Sequence, residues 1–342
     1  MGFDPPDAFD LAATSGTARV ITQDRRLTLM GIFALSVLLS AFNNAQSADI
    51  TIGVRKDAPP FAQIKQRADD SLLTSYTGFV AKVCQEVIGS VALQHGHRIH
   101  VRPITVSQRF SGLSGATPEI DMACGPISIT ETRLRKFAFS FPIFLSGISY
   151  AFGSTDFKTL KRNIQLGVLW NTTVLSELSV DLLSQHLGYI AKDTRADLEK
   201  LAALNGPDDP KAAQTVKKMK YVVPVKSYDE AFEKLCSGAI DYVFGDIDIL
   251  SGFSANYRSR EGCRSTISRV TLTREMYGIV FSRGFIERKD GSGLTFYLDF
   301  QRSLFSLLRS ERLNKLFEDT FPGKRMSDEL RGFFRAYQRV HQ

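Results

Sequence analysis

The stretch "DMACGPISITETRLRKFAFSF" (residues 121–141) decides how this 342-residue chain is read. A short apolar run stops at Cys124-Gly125-Pro126, the hydroxyls of Ser128 and Thr130 follow, and Arg133, Arg135 and Lys136 then fall within four residues. Thr130 and Glu131 predict a helix start, with threonine capping and an acid in the first turn. The N-terminus of a helix already carries partial positive charge, so an arginine in its first turn is locally unfavourable. Arg133 therefore needs a reason of its own.

Working outward, strand-like and helix-like segments alternate. Apolar or alternating runs predict strands over 49–54, 98–104, 120–124, 164–169, 220–225, 239–246 and 277–282. Helical spacing predicts helices over 79–93, 173–187, 229–238 and 294–321, with a further amphipathic helix over 329–340 that docks onto its own lobe. Such alternation implies mostly parallel sheets flanked by helices, in two α/β blocks. The polar stretch 188–219, with "NGPDDP" at 205–210, reads as a surface insertion carrying a helix or two.

In open α/β sheets, ligands bind beyond the carboxyl ends of the strands. Strand one delivers Arg55, with Asp57 close by. Strand two leads to Thr105, Ser107 and Arg109, and strand three to Gly125, Pro126, Ser128, Thr130 and Arg133. In the second block, "WNTT" (170–173) predicts a helix N-terminus whose free N–H groups suit a carboxylate. The last core strand of that block ends at Asp246, with Asp248 beyond it. Cations and hydroxyls thus face an acid, which is the inventory an amino acid zwitterion requires.

From about residue 49 to 321 the chain resembles the family 3 solute-binding proteins, the periplasmic amino-acid receptors of ABC importers. "CGPISITETRLRKFAFSFPIFLSG" (124–147) carries the likeness, and "DAPPF" (57–61), "YTGFVAKVCQEV" (76–87), "SYDEAFEKLCSGAIDYVFGD" (227–246) and "MYGIVFSRG" (276–284) follow in the expected order. The resemblance implies a type II periplasmic-binding-protein fold: two α/β lobes joined by two hinge strands, with a ligand cleft between them. Lobe one would hold 49–143 and 282–325, and lobe two 149–275. The crossings would lie near 143–147 and 276–281, and such folds close by hinge motion. Residues 326–342 would form a C-terminal helix and tail.

The same resemblance assigns roles. Arg133 matches the arginine that forks onto the ligand α-carboxylate, Ser128 the hydroxyl beside it, and Asp246 the acid that takes the α-ammonium. Thr172 and Thr173 match the helix start that donates backbone N–H groups. Arg133 and that helix end would then share one anion, the reason sought above. Pro126 lacks an N–H but keeps a carbonyl for the ammonium. Asn171 stands where the family often has glycine and tolerates positive φ. Gly125, Tyr228 and Gly245 complete the surroundings, Tyr228 and Gly245 at positions where relatives vary. "GVR" (53–55) and "ITVSQR" (104–109) are similar to the glutamate/aspartate-binding branch and place Arg55 and Arg109 at the ligand side chain, so an acidic or polar amino acid is expected, glutamate or aspartate first.

"RRLTLMGIFALSVLLSAFNNAQSADI" (25–50) has a positive start, an apolar run of 16 residues from Leu27 to Phe42, and small residues before Ser47–Ala48. That run is short of the roughly 20 residues a membrane span needs, so it predicts a signal peptide cleaved near Ser47 and a periplasmic protein. The whole chain carries a formal charge of +7, and residues 1–47, with four acids against three arginines, leave +8 for the rest. No Lys/Arg block with interleaved aromatics marks a nucleic-acid groove. An oxidising compartment would allow disulfides among Cys84, Cys124, Cys236 and Cys263. Three connectivities and free thiols all stay open, with Cys236–Cys263 the first pair to test.

"HGHRIH" (95–100) sits at a helix end leading into a strand and predicts no metal site, and no cofactor is implied. Trp170 is expected to pack rather than stack on ligand. The function read from these residues is capture of an amino acid for ABC permease subunits by a monomer without enzymatic activity. The alternative is an enzyme resembling the cyclohexadienyl dehydratases on the same scaffold. That needs a general acid or base near the ligand, and the strand ends offer no Glu or His.

Overall fold

The computed structural model describes residues 48–65, 69–153, 164–187, 192–204, 206–207, 209–258 and 263–339. The signal-peptide reading over 1–47, and residues 188–191, 205 and 208 of the expected insertion, lie outside them. In chain order the strands are β1 Asp49–Arg55, β2 Asp57–Ala58, β3 Ala62–Ile64, β4 Tyr76–Thr77, β5 Arg98–Ile104, β6 Met122–Cys124, β7 Ala138–Phe139 and β8 Phe144–Ser146. Then come β9 Ile148–Gly153, β10 Leu166–Leu169, β11 Val222–Val225, β12 Tyr242–Asp246, β13 Ser265–Ile267, β14 Glu275–Tyr277 and β15 Val280–Phe281.

One sheet has the order β5-β1-β6-β15-β7: β1 runs parallel to β5 and β6, and β15 lies antiparallel between β6 and β7. A second sheet has the order β11-β10-β12-β9-β13, with β10 parallel to both neighbours and β9 antiparallel to both of its own. The chain leaves the first sheet through β8 and returns through β14. These two crossings pair antiparallel, Phe144 opposite Tyr277 and Ser146 opposite Glu275. The sheets and their helices are the first and second lobes.

Alternation explains β1. Ile50, Ile52 and Val54 are fully buried, in one apolar cluster with Phe79, Val80, Val83, Val87 and Val91 of the helix Phe79–His95. Burying each such side chain contributes roughly 1.5–3 kcal/mol. The cluster continues into the crossings, where the Phe144 ring lies 4.9 Å from Phe61, 5.2 Å from Phe79 and 5.9 Å from Phe321. A separate core in the second lobe gathers Leu166, Val168, Trp170, Leu198, Leu201 and Phe244, so Trp170 is a packing residue. The insertion helix Lys192–Ala202 is anchored by Asp197, whose Oδ2 accepts from the N–H groups of Lys220 (2.8 Å) and Tyr221 (3.0 Å).

Two expectations change. The helix expected over 173–187 is two helices, Val174–Glu177 and Val180–Leu187, because Leu178 turns extended. The Ser179 hydroxyl then accepts from the Leu182 N–H at 3.1 Å, as an N-cap does. The strand expected over 277–282 is split between β14 in the crossing and β15 in the first sheet.

The cysteines form two bonds, Cys84–Cys124 and Cys236–Cys263, with Cα atoms 6.4 Å and 5.0 Å apart. The first ties the helix Phe79–His95 to β6, and each bond stays within one lobe. The C-terminal helix Asp328–Gln338 buries Leu330 and Phe334, and the Tyr337 hydroxyl donates to the Pro142 carbonyl at 3.1 Å, so it packs on its own chain. No helix among the described residues is long and apolar enough to cross a membrane. None of them forms a cluster that could hold a metal; His97 is buried, its Nδ1 accepting from the Ala48 N–H.

Candidate functional site

The carboxyl ends of β1, β6, β10 and β12 converge on a cavity of about 30 Å³, lined by Arg55, Val106, Arg109, Pro126, Ser128, Ile148, Leu169, Thr172, Thr173, Val174, Tyr228, Asp246, Ile249, Glu275 and Tyr277. That space takes a water or two, so a larger ligand enters only when the lobes part or side chains withdraw.

Three guanidiniums surround one side. Arg55 is 2% exposed, and its Nε donates to Asp57 Oδ1 at 2.7 Å. It lies across Gly125, where a Cβ would sit 2.4 Å from Arg55 Cγ, so glycine is what lets this arginine pass. Arg109 is also buried. It donates to the carbonyls of Pro126 (3.3 Å) and, across the cleft, Asn171 (2.7 Å), while its Nε is buried with no partner among the described residues. Burial, then repulsion from Arg133 and Arg55, pulls its pKa well down. The third cation, Arg133, extends away from the short helix Glu131–Leu134, which Thr130 caps as expected. It donates to the Ser128 carbonyl at 2.8 Å. Arg109 and Arg133 each lie 4.8 Å from the centre of the Phe110 ring, whose face offsets part of the cost of burying them. Burial holds the Arg133 pKa down to about 10, with Glu275 the strongest opposing influence. The first-turn cation therefore spends its charge on a carbonyl, a ring and a carboxylate rather than on the helix end.

Acids face them from the second lobe and the crossing. Asp246 does two things: its Oδ1 caps the helix Ile247–Arg258 through the N–H groups of Asp248 (2.8 Å) and Ile249 (3.0 Å), and its Oδ2 accepts from the Tyr277 hydroxyl. Burial, then repulsion from Asp248, raises its pKa to about 7. Burial and the nearby Asp246 charge also push the Tyr277 and Tyr228 hydroxyls up. Gly245 makes room for Tyr228, since a Cβ there would meet the phenol oxygen at 2.5 Å. Glu275 in β14 bridges the jaws: its Oε2 accepts from Ser128 Oγ and, at 3.0 Å, from Thr173 Oγ1.

Of the residues expected from sequence, Arg55, Arg109, Pro126, Ser128, Thr172, Thr173, Tyr228 and Asp246 line the cavity. Gly125 backs Arg55, Asn171 turns with φ 57° so that its carbonyl meets Arg109, and Arg133 stands behind Ser128 rather than in the lining. The Pro126 carbonyl, expected to face an ammonium, is taken by Arg109. Thr172 turns its hydroxyl onto the Leu169 carbonyl at 2.8 Å. Glu275 and Tyr277 also line the cavity and were not among the residues expected there: the sequence reading found no Glu at the strand ends, and Glu275 reaches the cavity from the crossing instead. In β14 the two stand two positions apart, so both point to one face, but the strand expected from sequence began at 277 and left Glu275 outside it.

The order of strands, the paired crossings and a cleft at the carboxyl ends together decide the likeness. Residues 50–204 match the bacterial extracellular solute-binding proteins, family 3. Solved structures agree on the fold, which is the type II periplasmic-binding-protein fold. The arginine-, lysine-, histidine-binding protein ArtJ of Geobacillus stearothermophilus superposes with a TM-score of 0.54 at 14% identity, covering 83% of this chain and 99% of that one. An ABC uptake transporter substrate binding protein of Streptococcus pneumoniae with bound histidine gives 0.54 at 17%, covering 80% and 92%. The ancestral amino acid-binding protein AncCDT-1, a precursor of cyclohexadienyl dehydratase, gives 0.51 at 16%, covering 84% and 99%. No curated protein sequence matches the chain. The family 3 match spans β1 to the end of the insertion helix, so it includes Arg55, Arg109, Ser128, Arg133 and Thr173 but not Asp246 or Glu275.

Proposed function

We propose that this protein is a periplasmic receptor that captures an amino acid by hinge closure and delivers it to the permease subunits of an ABC importer, acting as a monomer. Arg133, Ser128 and Thr173 would hold the α-carboxylate, and Asp246 the α-ammonium. Arg109, with Arg55 beside it, would take an acidic or polar side chain, glutamate or aspartate first. The observation that carries the choice is Arg109, a buried cation held by two carbonyls with its Nε unpartnered among the described residues. Buried charges are ordinarily paired, and a ligand carboxylate is the group this one lacks. Two of the solved structures named above bind arginine, lysine or histidine by their own descriptions, but three guanidiniums beside the cavity disfavour a cationic side chain. Calorimetry against a panel of amino acids is expected to rank L-glutamate and L-aspartate first. Tight binding of lysine or leucine with none of glutamate would reject the assignment.

Binding should also follow Asp246. Its folded pKa is raised to about 7, so below neutrality the carboxyl is increasingly protonated and loses its attraction for an ammonium. Affinity for glutamate is expected to be flat above about pH 7.5 and to fall up to tenfold per unit below about pH 6.5. The same group stabilises the fold most below its unfolded pKa of 3.8, and that contribution is lost as pH rises through 7. Titrations at several pH values, repeated with Asp246→Asn, check this: the variant should bind weakly with no such dependence.

A second reading has an observation behind it. Glu275 places a carboxylate in the cleft, the general acid or base that a dehydratase would need. Incubation with arogenate or prephenate should leave both unchanged if the protein is a receptor; aromatic product would favour the enzyme.

A further inference from the structure

Glu275 belongs to neither jaw. It opens β14, in the crossing, and reaches into the cleft from there. Its Oε2 accepts at once from the Ser128 hydroxyl of the first lobe and the Thr173 hydroxyl of the second, while Oε1 is buried with no partner among the described residues. Arg133, donating to the Ser128 carbonyl, brings a positive charge to the same corner. One carboxylate therefore receives donors from both lobes and faces a cation, which is the environment assigned above to a ligand's α-carboxylate.

We propose that Glu275 is a built-in competitor for the carboxylate seat, tying the lobes together while it occupies the two hydroxyls and leaving when a ligand carboxylate takes them. This rests on the seat being where a ligand carboxylate binds. Two carboxylates sharing those donors would repel, and the cavity holds a water or two, so occupancy is exclusive. Each ligand must exchange its carboxylate for that of Glu275, and the exchange lowers apparent affinity by the fraction of molecules in which the seat is filled. A ligand lacking a carboxylate has nothing to exchange and does not bind productively. The side chain thereby sets both the closed population and the selection for acids.

The test begins without any amino acid. Glu275→Ala in the mature chain is expected to show a larger radius of gyration by small-angle scattering, and amides of 127–129 and 172–176 exchanging at least tenfold faster. Sodium acetate at tens of millimolar should restore compactness to Glu275→Ala by filling the seat, while sodium chloride of equal ionic strength should not. If Glu275→Ala does not fold, Glu275→Gln, which keeps the shape and loses the charge, carries the same measurements. Unchanged dimensions and exchange, or equal effects of acetate and chloride, would overturn the proposal. With L-glutamate as probe, Glu275→Ala should bind about tenfold more tightly than the parent. Loss of glutamate binding in the variant alone would overturn the competitor role, since Glu275 would then be a ligand contact. Failure of glutamate to bind either protein would sink the ligand assignment, and the acetate arm would still decide on the tie.

Discussion

Arg109→Met is expected to weaken glutamate binding by about two orders of magnitude and to raise the unfolding temperature by about 2 °C. Removing one partner of a buried, hydrogen-bonded charge pair costs roughly 2–5 kcal/mol of binding, which sets the first figure. The second follows from the unliganded site. Arg109 is buried beside two like charges, and its Nε has no acceptor among the described residues. Replacing a poorly compensated buried ion by an apolar side chain of similar length is often neutral or stabilising. About 1 kcal/mol of relief shifts a chain of this size by a few degrees at most. Calorimetry and thermal unfolding on one preparation separate the cases: a structural arginine would lower the unfolding temperature and leave affinity alone.

Phe144→Ala should produce the largest loss of stability of any single change considered, about 4 kcal/mol. Its ring is fully enclosed, with Phe61 and Phe79 set edge-on at 4.9 Å and 5.2 Å and Phe317, Phe321 and Tyr277 stacked within 6.3 Å. Truncation leaves a ring-sized void that this rigid aromatic group cannot collapse into, so the transfer and cavity costs add. Phe141→Ala is the control, because Phe141 is 41% exposed and among the described residues meets a single ring, Phe305, at 5.6 Å; it should cost under about 1 kcal/mol. Comparable losses of denaturation midpoint in the two variants would mean that the crossing is not the packed joint described here.

Much of the architecture was legible because the hydrophobic pattern is local. Ile50, Ile52 and Val54 alternate into the core, and the cations and hydroxyls that cluster in the cleft follow the strand ends on which sequence placed them. What sequence could not show depends on partners distant in the chain. The run from Tyr277 to Phe281 carries no charge and no break, yet Tyr277 pairs with Phe144 in the crossing while Val280 pairs with Ala123 and Phe139 in the first sheet. Ser179 looked like an ordinary helical position until Leu178 turned extended and its hydroxyl found the Leu182 N–H. Glu275 escaped notice because its role comes from Ser128 and Thr173, 147 and 102 residues away. Arg133, expected at the ligand, instead runs over Phe110 to the Ser128 carbonyl, a rotamer choice that no spacing rule reveals.

The two cystines have a mechanical corollary. One clasps a helix to a strand in the first lobe and the other closes a loop in the second, and neither spans the joint at Phe144 and Tyr277. The molecule is thus two internally riveted halves on an axle of two peptide strands that no disulfide crosses. A reductant would soften the halves and leave the axle's own resistance to bending untouched.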